Sequence, residues 1–258
     1  MSPSNPKTLL FDIETSHNLA AVFQLYGENN YISPENIWQE RFLICASWRW
    51  LGEKKIHSVS ILDDPKLYKK DPHNDLHVVR SLHDVLSSAD VIIGHNSDKF
   101  DIKFAEARML IQGLPPLPPI TKIDTLKVAK DRFLFNSNSL DYLGTVLKVG
   151  RKKPTTNGLW LRVLNGDESA INEMVKYNKQ DVELLERVFT KLRPYIANHT
   201  NRELFGGTGC PRCGSLKYQS RGIHRAITRI YQRYCCNSCG GWFRELKAEK
   251  KSTTKRVL

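Results

Sequence analysis

The chain reads as an α/β fold with a mixed sheet, followed by a small cysteine-bearing module. Three observations lead there. Apolar runs of strand length lie early, at "TLLFD" and "RFLICASWRWL", and amphipathic helical patterns lie late. Strand and helix signals alternate in the middle, as they do where helices cover a sheet. Five of the six cysteines crowd into residues 210 to 239.

Each element has its own signal. Residues 7 to 12 form a short apolar run and read as a buried strand. Residues 16 to 40 show no period, and Phe23, Tyr26, Tyr31 and Trp38 are scattered among polar residues. "RFLICASWRWL" and "KKIHSVSIL" are rich in β-formers around "GEK", the pattern of a hairpin. "DLHVVRSLHDVLSSA" places Leu76, Val79, Leu82, Val85 and Leu86 at helical spacing. "DVIIGHN" is a second short strand ended by Gly94. "KFDIKFAEARMLIQG" reads as a helix that stops at Gly113, and "LPPLPPI" is a stiff connector that proline excludes from helix or central strand. "SLDYLGTVLKVG" and residues 167 to about 192 are further helices, the latter with Asp167 as a candidate N-cap.

Length and charge divide the chain. Its 258 residues, 40% of them hydrophobic, suffice for one core plus a small module. The boundary is expected near "HTNRELFGGTG", giving a large domain over 1–200, a cysteine module over 201–247 and a basic, fraying tail over 248–258. Residues 201 to 258 hold 13 Lys/Arg against 3 Asp/Glu, whereas residues 1 to 200 hold 26 against 24. Of the net charge of +12, +10 therefore belongs to the last fifth of the chain, an electrostatic footprint for a polyanion. No apolar run reaches the length of a membrane span, and "MSPSNPKTLL" lacks a signal-peptide core, so a cytoplasmic setting is expected (host cytoplasm for a phage protein). Cys45, alone in an apolar strand, reads as a buried residue.

Three acidic motifs carry the chemistry. In "FDIET", Asp12 and Glu14 are one residue apart, so on a strand both carboxylates share a face. Like charges so placed repel, and a divalent cation is the natural counterweight. In "GHNSDKFD", Asp101 opens the helix after the second strand. In "YNKQD", Tyr177 and Asp181 are four apart, one helical turn on one face. Hard divalent cations want oxygen ligands, so a set of carboxylates is their natural cage. His95 belongs to none of these motifs and reads as structural.

The order Asp12-Ile-Glu14, Asn96 through Phe100-Asp101, then Tyr177-Asn-Lys-Gln-Asp181 resembles the three motifs of the DEDD 3′→5′ exonucleases. The tyrosine spacing is that of the DEDDy branch, in which the exonuclease domains of family-B polymerases and small stand-alone phage and bacterial enzymes are most similar. The resemblance covers residues 7 to 195 and implies an RNase H-like fold. It also implies two catalytic Mg²⁺ or Mn²⁺ ions, with Asp12 bridging both, Glu14 and Asp181 on the one carrying the attacking water, and Asp101 acting on the second. Tyr177 would orient that water, and Asn96 and Phe100 would lie near the terminal nucleotide. "IDTL" is similar to a stretch of proofreading exonucleases, although Asp124 is not one of the four acids. The implied activity is 3′→5′ hydrolysis of DNA, single-stranded ends favoured and RNA as the other substrate, releasing nucleoside 5′-monophosphates. A replication or repair protein is a further implied partner. The rivals are an RNase H-like endonuclease of transposase type, and a nucleic-acid-binding protein without catalysis.

"CPRC" and "CNSC" set Cys210, Cys213, Cys236 and Cys239 in two C-x2-C knuckles 22 residues apart, each followed by glycine. Four thiolates at this spacing predict one structural Zn²⁺, with room for a β-hairpin between them. Cys235 competes with Cys236 for the third position. The segment resembles a zinc ribbon. Its spacer interleaves Lys217, Arg221, Arg225, Arg229 and Arg233 with Tyr218, Tyr231 and Tyr234, and Trp242 and Phe243 follow. Cations for phosphates and rings for bases point to nucleic-acid binding, with Arg225, Arg229 and Arg233 as the leading candidates.

Overall fold

The computed structural model describes residues 6–22, 32–196, 199, 201–202, 208–226, 228–245 and 250–251. Phe23, Tyr26 and Tyr31 lie outside the described residues, as does the tail from 252 onward.

In chain order the first part comprises β1 (Thr8–Thr15), β2 (Leu19–Ala20), β3 (Ile37–Gln39), β4 (Leu43–Trp50), β5 (His57–Ser60), α1 (Pro65–Lys70) and α2 (Leu76–Ser87). Then come β6 (Val91–Gly94), α3 (Asp101–Ile111), β7 (Thr121–Asp124), α4 (Thr125–Arg132), α5 (Leu140–Val146), α6 (Leu159–Leu164) and α7 (Glu168–Leu192). Five strands form one mixed sheet in the order β5-β4-β1-β6-β7. β4 runs antiparallel to β1, whereas β6 is parallel to β1 and β7 to β6. The mixed α/β class expected from the sequence is what the chain adopts.

β1 is the central strand, and its neighbours explain its composition. Leu9, Phe11 and Ile13 pack in one core with Val78, Val79, Leu82 and Leu86 of α2 and Ile102, Ala105 and Met109 of α3. Leu10 points the other way, into a core with Ile93, Ile123 and the α7 residues Val182, Leu185, Val188 and Phe189. A strand buried on both sides needs such a continuous apolar run. Because side chains alternate, Asp12 and Glu14 continue the Leu10 face, the one α7 covers.

α7 is 25 residues long and starts where expected: the Asp167 carboxylate accepts from the Ser169 and Ala170 amides. Its buried stripe runs Ile171, Met174, Asn178, Asp181, Val182, Leu185, Val188, Phe189 and Leu192. Asn178 and Asp181 interrupt an otherwise apolar face where it passes Asp12.

Several elements go beyond the sequence reading. The stretch 16 to 40, expected to be irregular, contributes the antiparallel pair β2–β3. β7 and α4 follow the proline connector directly. Asp124, at the junction, caps α4 by accepting from the Leu126 and Lys127 amides. α6 also had no periodic signal.

The cysteine segment forms a second sheet from β8 (Tyr218–Arg225), β9 (Arg229–Cys236), β10 (Trp242–Arg244) and β11 (Lys250–Lys251). β8 and β9 are the hairpin that the spacer left room for. Lys250 and Lys251, within the stretch expected to fray, pair with β9.

Candidate active site

β1 and the long helix α7 bring three carboxylates together. Oxygens of Asp12, Glu14 and Asp181 all lie within 4.8 Å of one another. At an effective dielectric of about 20, two unit charges at that separation repel by roughly 3–4 kcal/mol. That repulsion, added to burial, sets the protonation of the group. Burial, then the fields of Asp101, Glu14 and Asp181, push Asp12 well above the ordinary carboxylate range. Burial and then Asp181 raise Glu14 to about 8. Asp181 is also raised, by its burial.

Asp101 stands beside this trio, not within it. As the first residue of α3 it is almost wholly buried. Burial raises it to about 7, against the pull of its own amide and that of Ile13. It lies against the Ile13 amide of β1, and its field on Asp12 is the largest of any neighbour.

The turn that delivers Asp101 is tight. A Cβ on Gly94 would meet the Ser97 Cβ at 2.4 Å, so the turn excludes any side chain there. Asn96 takes a positive φ of 64°, a conformation asparagine tolerates better than most residues. The Asp124 carboxylate accepts from the Asn96 amide at 2.8 Å and from the Asp98 amide at 3.2 Å. Asn96 is therefore a turn residue at the end of β6. Phe100 stacks on Phe104 with centroids 6.0 Å apart, and the Arg41 guanidinium lies 5.8 Å from its ring centre. His95 is buried to a pKa of about 4, so its ring is neutral, and it meets the Thr125 hydroxyl at 2.9 Å. The sequence reading expected a satisfied structural histidine; Nδ1 is satisfied, but Nε2 is buried with no hydrogen-bond partner among the described residues.

Three further residues converge on the carboxylates. The Lys152 ammonium donates to Asp181 Oδ2 at 2.5 Å and to the Tyr177 hydroxyl at 3.2 Å. Burial works against its charge, but the field and hydrogen bond of Asp181 together with Tyr177 and Asp12 outweigh burial and raise its pKa. The loop is clamped from both sides: the Lys152 amide donates to Asp141 at 2.6 Å, and the Thr156 amide to Glu173 at 3.1 Å. Asn178 Nδ2 donates to Asp12 Oδ2 at 2.7 Å. The Trp160 indole N–H donates to the Thr15 carbonyl at 3.2 Å and meets the Tyr177 ring edge-on at 6.5 Å. Asn178 had a signal, a polar residue in an apolar stripe. Lys152 and Trp160 lie outside any periodic pattern.

The donor set fits hard divalent cations: three clustered carboxylate oxygens, a fourth acid adjacent, and a lysine ammonium already drawn to them. The sulfur set fits a different ion. The four sulfurs of Cys210, Cys213, Cys236 and Cys239 also lie within 4.8 Å of one another. The Cys210–Cys239 and Cys213–Cys236 separations are 3.8 and 3.6 Å. A tetrahedron with metal–sulfur bonds of about 2.3 Å has edges of roughly 3.8 Å. Cys235 lies outside the group and its sulfur is 3.8 Å from the Gly240 carbonyl, so Cys236 is the third member.

The ribbon arginines occupy two faces. Arg229 and Arg233 are four apart on β9 and share one. Arg225 pairs opposite Ile230 and so lies on the other.

No curated protein sequence matches the chain. A solved structure, that of the family B DNA polymerase from the hyperthermophilic archaeon Pyrobaculum calidifontis, is similar over 81% of this chain with a TM-score of 0.53 and 17% identity. That likeness is one of fold, and the chain spans about a quarter (26%) of the polymerase's length. No described helix is long and apolar enough to cross a membrane. The family model of the RNase_H superfamily, RNase_H_2, matches residues 53–193, which include Asp101, Tyr177 and Asp181 and leave β1 outside. With more than half of its length matched and its acids gathered where the mixed sheet meets α7, the chain belongs to the RNase H superfamily, a nuclease family that uses divalent metals.

Proposed function

We propose that the chain is a metal-dependent 3′→5′ exonuclease of the tyrosine-bearing DEDD type, acting on single-stranded DNA ends and releasing nucleoside 5′-monophosphates. The convergence of Asp12, Glu14 and Asp181 beside Tyr177 and Lys152 carries the reading. In this proposal Asp12, Glu14, Asp101 and Asp181 hold Mg²⁺ or Mn²⁺. Divalent ions supply the activated water and the charge relief that the reaction needs.

The protein groups divide the remaining work. Tyr177 is raised above its ordinary range by burial and then by Asp181, so its hydroxyl stays protonated and orients instead of abstracting a proton. Lys152 donates to that hydroxyl oxygen, which leaves the Tyr177 proton to point at an acceptor. The Lys152 charge itself offsets negative charge that builds on the phosphoryl oxygens. Asn178 fixes the orientation of Asp12. Asn96 and Phe100 receive the terminal nucleotide, and the cysteine module holds Zn²⁺. We place the limit of the catalytic unit near residue 200.

The test is hydrolysis of DNA and RNA oligomers labelled at either end, with Mg²⁺ or Mn²⁺. A ladder of single-nucleotide steps from the 3′ end is expected, abolished by Asp12→Asn or Asp181→Asn. Equal digestion by both variants would refute the assignment. Cutting of a covalently closed circle would replace it with an endonuclease.

A further inference from the structure

The ribbon sheet has two unlike faces. On one, Tyr218, Tyr234 and Phe243 pack ring against ring with centroids 5.2–5.5 Å apart, and the Tyr234 hydroxyl donates to Glu245 at 2.6 Å. These rings form one partly buried cluster with Tyr218 still 40% exposed, and Arg225 lies on its side; the buried ring of the module, Tyr231, is on the opposite face. On the other face stand Arg229, Tyr231 and Arg233 of β9 and Trp242 and Arg244 of β10, placed there by the pairs Trp242↔Cys235 and Arg244↔Arg233. Arg221 reaches the same face, where its guanidinium lies 2.8 Å from the Gln219 side-chain amide and donates to its oxygen once that amide is turned over.

This second face carries a like-charge pair that folding alone does not favour. Arg233 and Arg244 are directly opposite across two antiparallel strands, an arrangement that destabilises a sheet. No carboxylate among the described residues pairs with Arg221, Arg229, Arg233 or Arg244. Instead the guanidiniums rest on rings: Arg233 lies 5.2 Å from the Trp242 ring centre and Arg244 lies 3.9 Å from that of Tyr231. Stacking fixes both planar groups, and the Arg233 Nε–H donates to the Arg221 carbonyl at 2.7 Å, which holds that guanidinium further while its terminal N–H groups meet no acceptor among the described residues; Trp242 remains half exposed (50%). Preset cations with an exposed ring among them suit phosphates and unstacked bases together.

The ribbon's seat is far from the carboxylates. The Arg193 guanidinium donates to the Arg212 carbonyl in the first knuckle, and the Arg212 guanidinium donates to the Arg193 carbonyl at 3.1 Å and to that of Ile196. The Arg202 amide donates to the Pro211 carbonyl at 2.9 Å. Arg193 borders a small cavity with Thr8, Leu51 and Val91, at the N-terminal ends of β1 and β6. The acids sit toward the opposite ends of those strands. Arg193 is twelve residues beyond Asp181, about 18 Å along a helical path.

We propose that the face bearing Arg221, Arg229, Arg233, Arg244 and Trp242 is a grip for single-stranded nucleic acid, separate from the terminal-nucleotide site and engaging the strand several nucleotides away from it. At roughly 3.4 Å per stacked nucleotide the seat lies about five nucleotides from the acids. The strand contact stands by itself; its position upstream of a cleaved end rests on the exonuclease reading above.

The test is fluorescence anisotropy of the full zinc-loaded chain with a labelled 20-mer of deoxythymidylate, without added Mg²⁺ or Mn²⁺, across a salt series. Arg233→Gln with Arg244→Gln should weaken binding at least tenfold and reduce the salt slope by about 1.4, two phosphate contacts' worth. Arg225→Gln, on the other face, should change neither, and zinc content should stay at wild type in both. A trinucleotide should be hydrolysed equally by wild type and the double variant, being too short to reach the grip. Wild-type affinity and slope in the double variant, or equal damage from Arg225→Gln, would overturn the proposal. Tighter binding of a 20-base-pair duplex than of the single strand would overturn the choice of partner. Binding that follows this pattern in a chain whose Asp12→Asn variant still hydrolyses DNA would sink the exonuclease reading and leave the grip standing.

Discussion

The Lys152 ammonium stands 2.5 Å from Asp181 Oδ2, a lysine from a loop planted on an acid from the long helix. Asp181 is almost wholly buried and the lysine about one-third exposed (side chains 2% and 32%), so the pair sits at the boundary between core and solvent. A buried carboxylate next to two others needs a compensating charge, and in this chain Lys152 supplies the one that is covalently attached.

Removing that charge should slow chemistry more than removing the neighbouring hydroxyl. Lys152→Met is expected to lower kcat about 100-fold, in the range for losing one electrostatic stabiliser of the transition state. Tyr177→Phe should cost about tenfold, because a hydroxyl dipole contributes less than a full charge. Single-turnover rates at saturating Mn²⁺ read both, and a Lys152→Met enzyme as fast as wild type would remove the lysine from the mechanism.

Metal should stabilise the protein more at high pH than at low. Glu14 at about 8 and Asp101 at about 7 both lie above the unfolded carboxylate values near 4. The metal-free folded chain thus holds more protons than the unfolded one across that window, so its stability falls as pH rises from about 4 to about 8. A divalent cation needs the ionised acids, so its stabilising effect grows over the same span. The Mn²⁺-induced rise in Tm should be larger at about pH 8 than at about pH 5.5, and an equal shift at both would count against a carboxylate metal site.

The two adjacent cysteines should separate cleanly. Cys236→Ser should lose the zinc, measured by atomic emission at one ion per chain in the wild type, whereas Cys235→Ser should keep it. Cys236 belongs to the four-sulfur group and Cys235 faces away from it. The reverse result would reassign the third ligand.

Asp124 joins α4 to the turn proposed to receive the terminal nucleotide. Its Oδ1 accepts from Leu126 and from Asn96, so one carboxylate caps α4 and holds the turn after β6. Asp124→Ala should destabilise the chain by about 2 kcal/mol, the upper end for loss of a helix cap because the turn amides lose their acceptor as well. KM for a short oligomer should rise as Asn96 shifts. Asp124→Asn, which keeps a side-chain oxygen, should be milder on both counts, and a silent Asp124→Ala would show that the turn is held by other contacts.

The acids were legible in the sequence because each rides on a regular element. Period two puts Asp12 and Glu14 on one strand face, and a four-residue step puts Tyr177 and Asp181 on one helix face. What the sequence hid lies where tertiary contact overrides local pattern. β7 has only Ile123 and Asp124 buried and presents Thr121 and Lys122 to solvent, too few apolar positions to announce a strand. Lys152 gains its meaning from Asp141 and Glu173, which hold its loop from two different helices. The ribbon arginines were visible as a set, but their division between faces is not: Gly222, at φ 75°, sits in a bulge that shifts the register of β8 and sends Arg225 to the far side from Arg233.

Tyr177, Asp181 and the Arg193 that seats the ribbon all belong to one uninterrupted screw of backbone or its final turn. Each residue inserted or deleted between Asp181 and Arg193 would leave the carboxylates in place and swing the seat by about 100° around the axis. Length variation can therefore be absorbed before Tyr177 or beyond Ile196, while the interval between them behaves as a fixed gauge.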